Sequence, residues 1–170
     1  MQVLDAIIQR RSIRKFQDKK ISQNDINDLL KAAMYGPSAM DEQPWHFVII
    51  DDKKTLDTIA NFHPGAKMCK TAVVAILVCY DRNLEKYKNM AILDCAAATQ
   101  NILLAAYEKG IGSVWVSILF RNDIVEGEIK KLFKLPEDII PVSLIPLGYP
   151  LEKKQPPERF RKERIEPPHV

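Results

Sequence analysis

Apolar side chains in this 170-residue chain recur at two periods, and the switches between them mark out its elements. Val3, Leu4, Ile7 and Ile8 fall one, three and four apart, a single stripe that predicts a short helix over 2–10. Ser22 is a good N-cap with Asp25 three residues on, and Ile26, Leu29, Leu30 and Ala33 continue a second helical stripe up to Gly36-Pro37. Residues 45–50, aromatic and β-branched, predict a strand, and 53–61 a short helix. Residues 71–80 form an unbroken, valine-rich run, the pattern of a strand covered on both faces. A long helix is predicted over 84–109. From Ala91 to Ala106 its only polar residues are Asp94, Thr99, Gln100 and Asn101, so it must be central or covered by a second subunit, and Lys109-Gly110 closes it. Strands are expected over 113–119 and 139–147, the latter ending at Gly148-Tyr149-Pro150, with a helix over 124–134 between them. Helices alternate with strands, so the fold class is α+β or α/β around a central sheet, in one domain over 1–170.

The last twenty residues fit neither period. They are proline-rich and poor in apolar groups, cannot form a core of their own, and read as an extended arm over 151–170. Such an arm is either a disordered tail or, given Phe160 and Ile165, a segment that lies on something, most simply a partner subunit. Charge changes the picture by its placement. The net charge of +3 is too small to imply nucleic acid or membrane. Residues 1–20, however, carry Arg10, Arg11, Arg14, Lys15, Lys19 and Lys20, and the arm carries Lys153, Lys154, Arg159, Arg161, Lys162 and Arg164. The two basic clusters either converge on one anion or are two solvated surfaces. Cys69, Cys79 and Cys95 have no CxxC spacing and suit core positions. With no signal-peptide pattern at the amino terminus and no run of 18 apolar residues, the expectation is a reduced, cytoplasmic protein.

Most catalytic signatures are missing. No GxGxxG follows a strand, no GxxxxGK[ST] or GxSxG is present, and His46, His63 and His169 lack metal-ligand spacing. His46 reads as a strand residue and Asp94 as hydrogen-bonded structure. With so little acid–base machinery, an enzyme of this sequence needs a cofactor to carry its chemistry. Two segments could hold one. Arg10-Arg11-Ser12-Ile13-Arg14 offers three guanidiniums and a hydroxyl suited to a phosphate, although cations also gather at helix ends for dipole reasons alone. Gly36-Pro37-Ser38-Ala39-Met40-Asp41-Glu42-Gln43-Pro44-Trp45 is rich in small residues that let a flat ring approach closely, or is an ordinary helix-to-strand connection.

Taken in order, RRSIRKF, PSAMDEQPWHF, DCAAATQNILLAAYEKGIGSVW and LIPLGYP followed by a basic arm resemble the FMN-dependent nitroreductase family in its short form, over essentially the whole chain. The resemblance implies a central mixed sheet flanked by helices, an intertwined homodimer, and an arm packing on the partner subunit. It implies non-covalent FMN between the two chains. Arg10, Arg11, Ser12 and Arg14 would grip its phosphate and ribityl chain; Pro37, Ser38 and Ala39 would lie on the isoalloxazine from the neighbouring subunit. Trp115, Val116 and Ser117 would run beside the ring, Lys67 would reach its pyrimidine edge, and Arg159 or Arg161 would reach back to the phosphate. Trp115 suits a core position equally well.

The activity implied is that of an NAD(P)H:acceptor oxidoreductase. NADH or NADPH would reduce the flavin, and a nitroaromatic, quinone or similar small electrophile would then be reduced at the same site by ping-pong hydride transfer, with no protein residue doing the chemistry. The chain departs from the pattern in two places. Asp41 stands where members often have Asn, and Val116 to Phe120 are bulky where many have glycines, which suggests a narrow pocket. The alternatives are therefore a non-catalytic flavin-binding protein with a blocked pocket, or a specialised reductive enzyme of the same fold, dehalogenase-like.

Overall fold

The computed structural model describes residues 2–119 and 123–166, and in them the elements alternate as α1 (Val3–Gln9), α2 (Gln23–Met34), β1 (Trp45–Ile50), α3 (Lys53–Phe62), β2 (Val74–Asp81), α4 (Met90–Glu108), β3 (Gly112–Ser113), β4 (Val116–Ser117), α5 (Asp123–Phe133) and β5 (Ile139–Gly148). Local chemistry sets several boundaries. The Ser22 hydroxyl accepts the Asp25 backbone N–H at 3.1 Å, and the Asp52 carboxylate accepts that of Thr55 at 2.8 Å; each satisfies an orphan donor of the first helical turn.

The sheet runs β1-β2-β5-β3, with β4 also on β5, and every strand pair is antiparallel. Among the described residues the sheet is therefore antiparallel rather than mixed; the parallel contact of Ser12 with Ser113 is an isolated bridge outside the strands. Side chains of β2 divide by parity. Val74, Ile76, Val78 and Tyr80 join α2 and α4 in one apolar cluster, and Ala75, Leu77 and Cys79 join α3 and α5 in another. Both faces are covered, which is why the run reads as continuously apolar. Each Leu or Ile so buried contributes roughly 1.5–3 kcal/mol. Strand β5 carries Pro141 inside the sheet, where a missing N–H would break the ladder; the register shift between Val78 and Cys79, opposite Ser143 and Pro141, absorbs it as a bulge at Val142.

Two expected elements differ. The strand over 113–119 is two short pieces, β3 and β4, each paired with β5, with Val114 and Trp115 spanning the gap between them. The long helix starts at Met90 rather than residue 84, because Asn89 takes a left-handed φ of 70° after a 3-10 turn at Arg82–Leu84. Helix α4 has the length and hydropathy of a membrane span, but Ala91, Cys95, Ala98 and Ile102 bury it against the sheet and α2. Helix α1 is different: of its apolar stripe only Ala6 is buried, while Val3, Leu4, Ile7 and Ile8 stay exposed beside a groove that includes Tyr35 and Leu104.

The arm begins on its own chain. Leu151 N–H donates to the Lys15 carbonyl at 2.9 Å, and the Lys154 ammonium donates to the Ser12 carbonyl at 2.8 Å. Beyond that, among the described residues, it carries one 3-10 turn at Lys162–Arg164, with Phe160 and Ile165 exposed. Phe120 and His169 fall outside the described residues.

Candidate functional site

The segment Arg10–Phe16 is fixed by two glycines. Gly112 and Gly148 face each other in the sheet, and a Cβ on either would meet the segment: 2.9 Å from Ile13 Cγ2 at Gly112, 2.7 Å from Phe16 Cβ at Gly148. Ile13 and Phe16 therefore seat directly on the backbone and are buried, with Ile13 N–H donating to the Ser113 carbonyl at 3.0 Å and Gln17 N–H to that of Tyr149 at 2.8 Å. Seating Ile13 and Phe16 inward turns Arg14 and Lys15 outward. Arg14 is exposed, and its backbone N–H donates to the Glu152 carboxylate at 2.6 Å. That bond, then the Lys154 ammonium at 3.2 Å, holds the Glu152 carboxyl below its ordinary pKa.

Arg10 and Arg11 line a cavity of about 220 Å³ together with Tyr107, Lys153 and Lys154. The Nε atoms of both arginines are buried without a hydrogen-bond partner, although Arg11 Nη2 does donate to the Ile8 carbonyl. Burial, then the like charges of Arg11 and Arg159, pull the Arg10 guanidinium below its ordinary pKa. Crowding cations and orphaning their donors is costly unless an anion completes the set, and a phosphate supplies both the charge and the acceptors. The two basic clusters of the sequence thus converge, through Arg159. Arg161 turns elsewhere, donating to the Phe160 carbonyl at 3.3 Å and facing Glu163 at 4.0 Å. Of the predicted site residues only Arg10 and Arg11 line the cavity; Ser12, Arg14, Pro37, Ser38, Ala39, Lys67, Trp115, Val116, Ser117, Arg159 and Arg161 do not.

The loop after α2 is held in an unusual shape. Met40, Asp41 and Gln43 have φ of 49°, 57° and 49°, a conformation that costs non-glycine residues energy and clusters at functional sites. Ser38 Oγ accepts Gln43 N–H and Asp94 Oδ1 accepts Ala39 N–H, both at 3.1 Å. Asp94 is buried, its other oxygen has no partner, and desolvation, then the charges of Glu42 and Glu85, push its carboxyl up. So Asp94 is hydrogen-bonded structure, as its setting in an alanine-rich helix suggested, and it braces Ala39.

The remaining predicted residues sit in two neighbouring segments. Lys67 follows α3 in a 3-10 turn and donates to the Ala60 carbonyl at 3.0 Å. Trp115 is 39% exposed, and Ser117 is exposed, while Val116 and Ile118 are buried in the α3/α5 cluster. The bulky residues 116 and 118 are therefore core, not a plug at the surface. The segments are joined by His63, fully buried, whose Nε2 lies 3.0 Å from the Ser117 carbonyl. His63 carries no local signal, since it lacks metal-ligand spacing; Lys154 is visible as part of the basic arm, whereas Glu152 and Tyr107 are singled out only by long-range contacts. The three cysteines are free and buried, and burial pushes the Cys69 and Cys79 thiols up to about 12 and that of Cys95 further. Among the described residues no cluster of His, Cys, Asp and Glu could hold a metal.

The α+β fold thus sets an arginine-lined cavity at one end of its amino-terminal motif. The chain belongs to the nitroreductase family, whose profile matches residues 7–63 and 63–149. It is 48% identical over 165 residues to a Methanothermobacter thermautotrophicus protein provisionally named NADH dehydrogenase/NAD(P)H nitroreductase, a match covering 97% of this chain and 86% of that one. A solved structure bearing the same provisional name, from Parabacteroides distasonis, has a TM-score of 0.94 at 37% identity and covers 100% of this chain and 99% of its own. A Desulfovibrio desulfuricans protein provisionally named a nitroreductase and solved in complex with FMN has a TM-score of 0.85 at 28% identity, covering 100% of this chain and 99% of its own.

Proposed function

We propose that the protein is an FMN-dependent NAD(P)H oxidoreductase that reduces small electrophiles such as nitroaromatics or quinones. The observation that carries this reading is the pair of buried, partnerless Nε atoms of Arg10 and Arg11 at one cavity, with Arg159 near enough to repel Arg10, in a family with a member solved holding FMN. Arg10, Arg11 and Arg159 take the phosphate, with Ser12 and Arg14 along the ribityl chain. Pro37, Ser38 and Ala39 cover the ring from a second copy, as the family resemblance implies. Trp115 to Ser117 form the ring's other border, with Lys67 at its pyrimidine edge. When bound, FMN supplies two-electron transfer; the chain binds it, orients it and leaves an open face. With no second nucleotide motif, donor and acceptor use that face in turn.

A homodimer would bury the exposed stripe of α1 with Tyr35, and Phe160 and Ile165, exposed on the arm past its ties at Glu152 and Lys154, suit a partner's surface. The burial of Val116 and Ile118 favours an open site over a blocked one. Buried free thiols suit a reducing, cytoplasmic setting. The test is the visible spectrum of the purified protein, then heat release and chromatography of the cofactor, then anaerobic addition of NADH or NADPH. FMN is expected in the supernatant. The absorbance should bleach with a nicotinamide and return with a nitroaromatic or quinone, and double-reciprocal plots should be parallel. Recovery of FAD, or of no flavin, overturns the reading; FMN that neither nicotinamide bleaches leaves a binding protein.

A further inference from the structure

We propose that His63 is a positioning residue for the flavin site, one that fixes the peptide between Ser117 and Ile118 so that Trp115–Ser117 presents a preset edge; this rests on the reading that FMN lies against that segment.

Three observations lead to it. The first is the ring's hydrogen bonding. Gly65 N–H lies 3.0 Å from His63 Nδ1 and can only donate, so Nδ1 accepts. The proton must then sit on Nε2, which donates to the Ser117 carbonyl at 3.0 Å. One tautomer satisfies both contacts, and a fully buried imidazole uses both its nitrogens.

The second is the geometry of the bond's target. In a planar trans peptide the C=O and the following N–H point in opposite directions. Here Ile118 N–H donates to the Val142 carbonyl at 3.0 Å on the β5 side, while the Ser117 carbonyl on the outer side is held by His63. The plane is clamped at both edges. Strand β4 has only two paired residues, so little else fixes its outer edge. The clamp's β5 end is the bulge at Val142, whose carbonyl also accepts Leu119 N–H at 3.2 Å.

The third is what His63 itself stands on. Its backbone N–H donates to the Ile59 carbonyl at 2.9 Å, ending α3, and its carbonyl accepts Ala66 N–H at 3.0 Å, opening the turn that carries Lys67. Leu56, Ile59 and Ala60 anchor that helix end in the core. One buried ring thus ties the Lys67 turn to the Trp115–Ser117 segment, the two flavin-side borders contributed by the α3 face of the sheet. An apolar residue would fill the space as well; only a side chain with an acceptor and a donor set apart like those of imidazole makes both bonds.

His63→Asn and His63→Gln separate the two bonds. Asn can accept from Gly65 N–H but is too short to reach Ser117; Gln carries an amide donor out to the position of Nε2. FMN affinity is measured by fluorescence titration of the flavin-stripped full chain, with the visible band of the bound flavin and the melting temperature of the flavin-free protein as further readouts. Gln should bind FMN close to wild type. Asn should bind about fivefold to tenfold more weakly, the loss of one buried hydrogen bond, and shift the flavin band, with flavin-free melting alike for both variants. Equal affinity and an unchanged band in Asn overturn the proposal, as does weakening that merely follows melting temperature. Should Asn fail to fold, the wild-type protein answers by NMR: FMN should perturb the His63 ring nitrogens and the Ile118 amide, and unchanged signals overturn the proposal. If wild type takes up no FMN, the cofactor reading falls with it; uptake with equal variants removes only the role of His63.

Discussion

At the scale of single residues, the site is built from groups left short of partners. Asp94 is one. Its carboxyl is raised above the ordinary value, so the folded protein holds that proton more tightly than the unfolded chain does. The ionised form is therefore a cost at neutral pH, relieved as pH falls through the raised pKa toward the ordinary value of about 3.9. Asp94→Asn keeps an acceptor for Ala39 N–H and removes the repulsion from Glu42 and Glu85. It should raise the melting temperature at pH 7, by roughly 2–4 °C for each kcal/mol gained. The advantage over wild type should shrink in melts taken at successively lower pH and be gone below the ordinary aspartate range. Arg159 and Arg161 give a second contrast. Arg159 stands close enough to Arg10 to shift it, whereas Arg161 already faces Glu163. Arg159→Ala should cost about 1.5–3 kcal/mol of FMN binding, tenfold or more, with Arg161→Ala within about twofold by the same titration.

Among the elements, the telling contact is between the first motif and the sheet. The motif is not a loop draped over the surface; Ile13 and Phe16 sit where a Cβ on Gly112 or Gly148 would be. Gly148→Ala puts a methyl group 2.7 Å from Phe16 Cβ and 2.8 Å from its Cγ, so the motif must lift. Overpacking of this kind costs about 1–3 kcal/mol. Urea denaturation should register that loss, and FMN affinity should fall too, since Arg10 and Arg11 move with the motif. The control is Ser22→Ala at the cap of α2, which should cost about 1 kcal/mol and leave FMN affinity unchanged.

For the molecule as a whole, the question is what covers α1. Val3 is 74% exposed and Leu4 63%, in a helix that buries only Ala6. A stripe so exposed has little reason to be helical in a monomer, since a helix this short draws its stability from packing. Sedimentation should give about twice the 19.4 kDa chain mass. Ile7→Asp should shift the protein toward monomer and release FMN together, because Pro37–Ala39 would lose the partner they are proposed to cover. A monomeric Ile7→Asp variant that retains FMN would refute the shared site.

The sequence by itself determined the elements whose cause is local. Ser22 caps α2 through Asp25 as its spacing predicts, β2 is covered on both faces as its unbroken apolar run predicts, and α1, α3, α5 and β5 begin and end within a residue or two of where period and punctuation place them. It also showed basic clusters at both ends of the chain, and left open whether they meet one anion or are two solvated surfaces. Tertiary structure decided the rest. It broke the strand over 113–119 in two, since pairing depends on what β5 offers and on the bulge at Val142. It brought Arg159 near Arg10 and turned Arg161 toward Glu163, which an extended arm's sequence does not record. It took Val116 and Ile118 into the core, and it gave His63, unremarkable in the chain, two bonds to segments 2 and 54 residues away. Periodicity records which side of an element is buried; it does not record which atoms from distant segments meet there, and the site is made of such meetings.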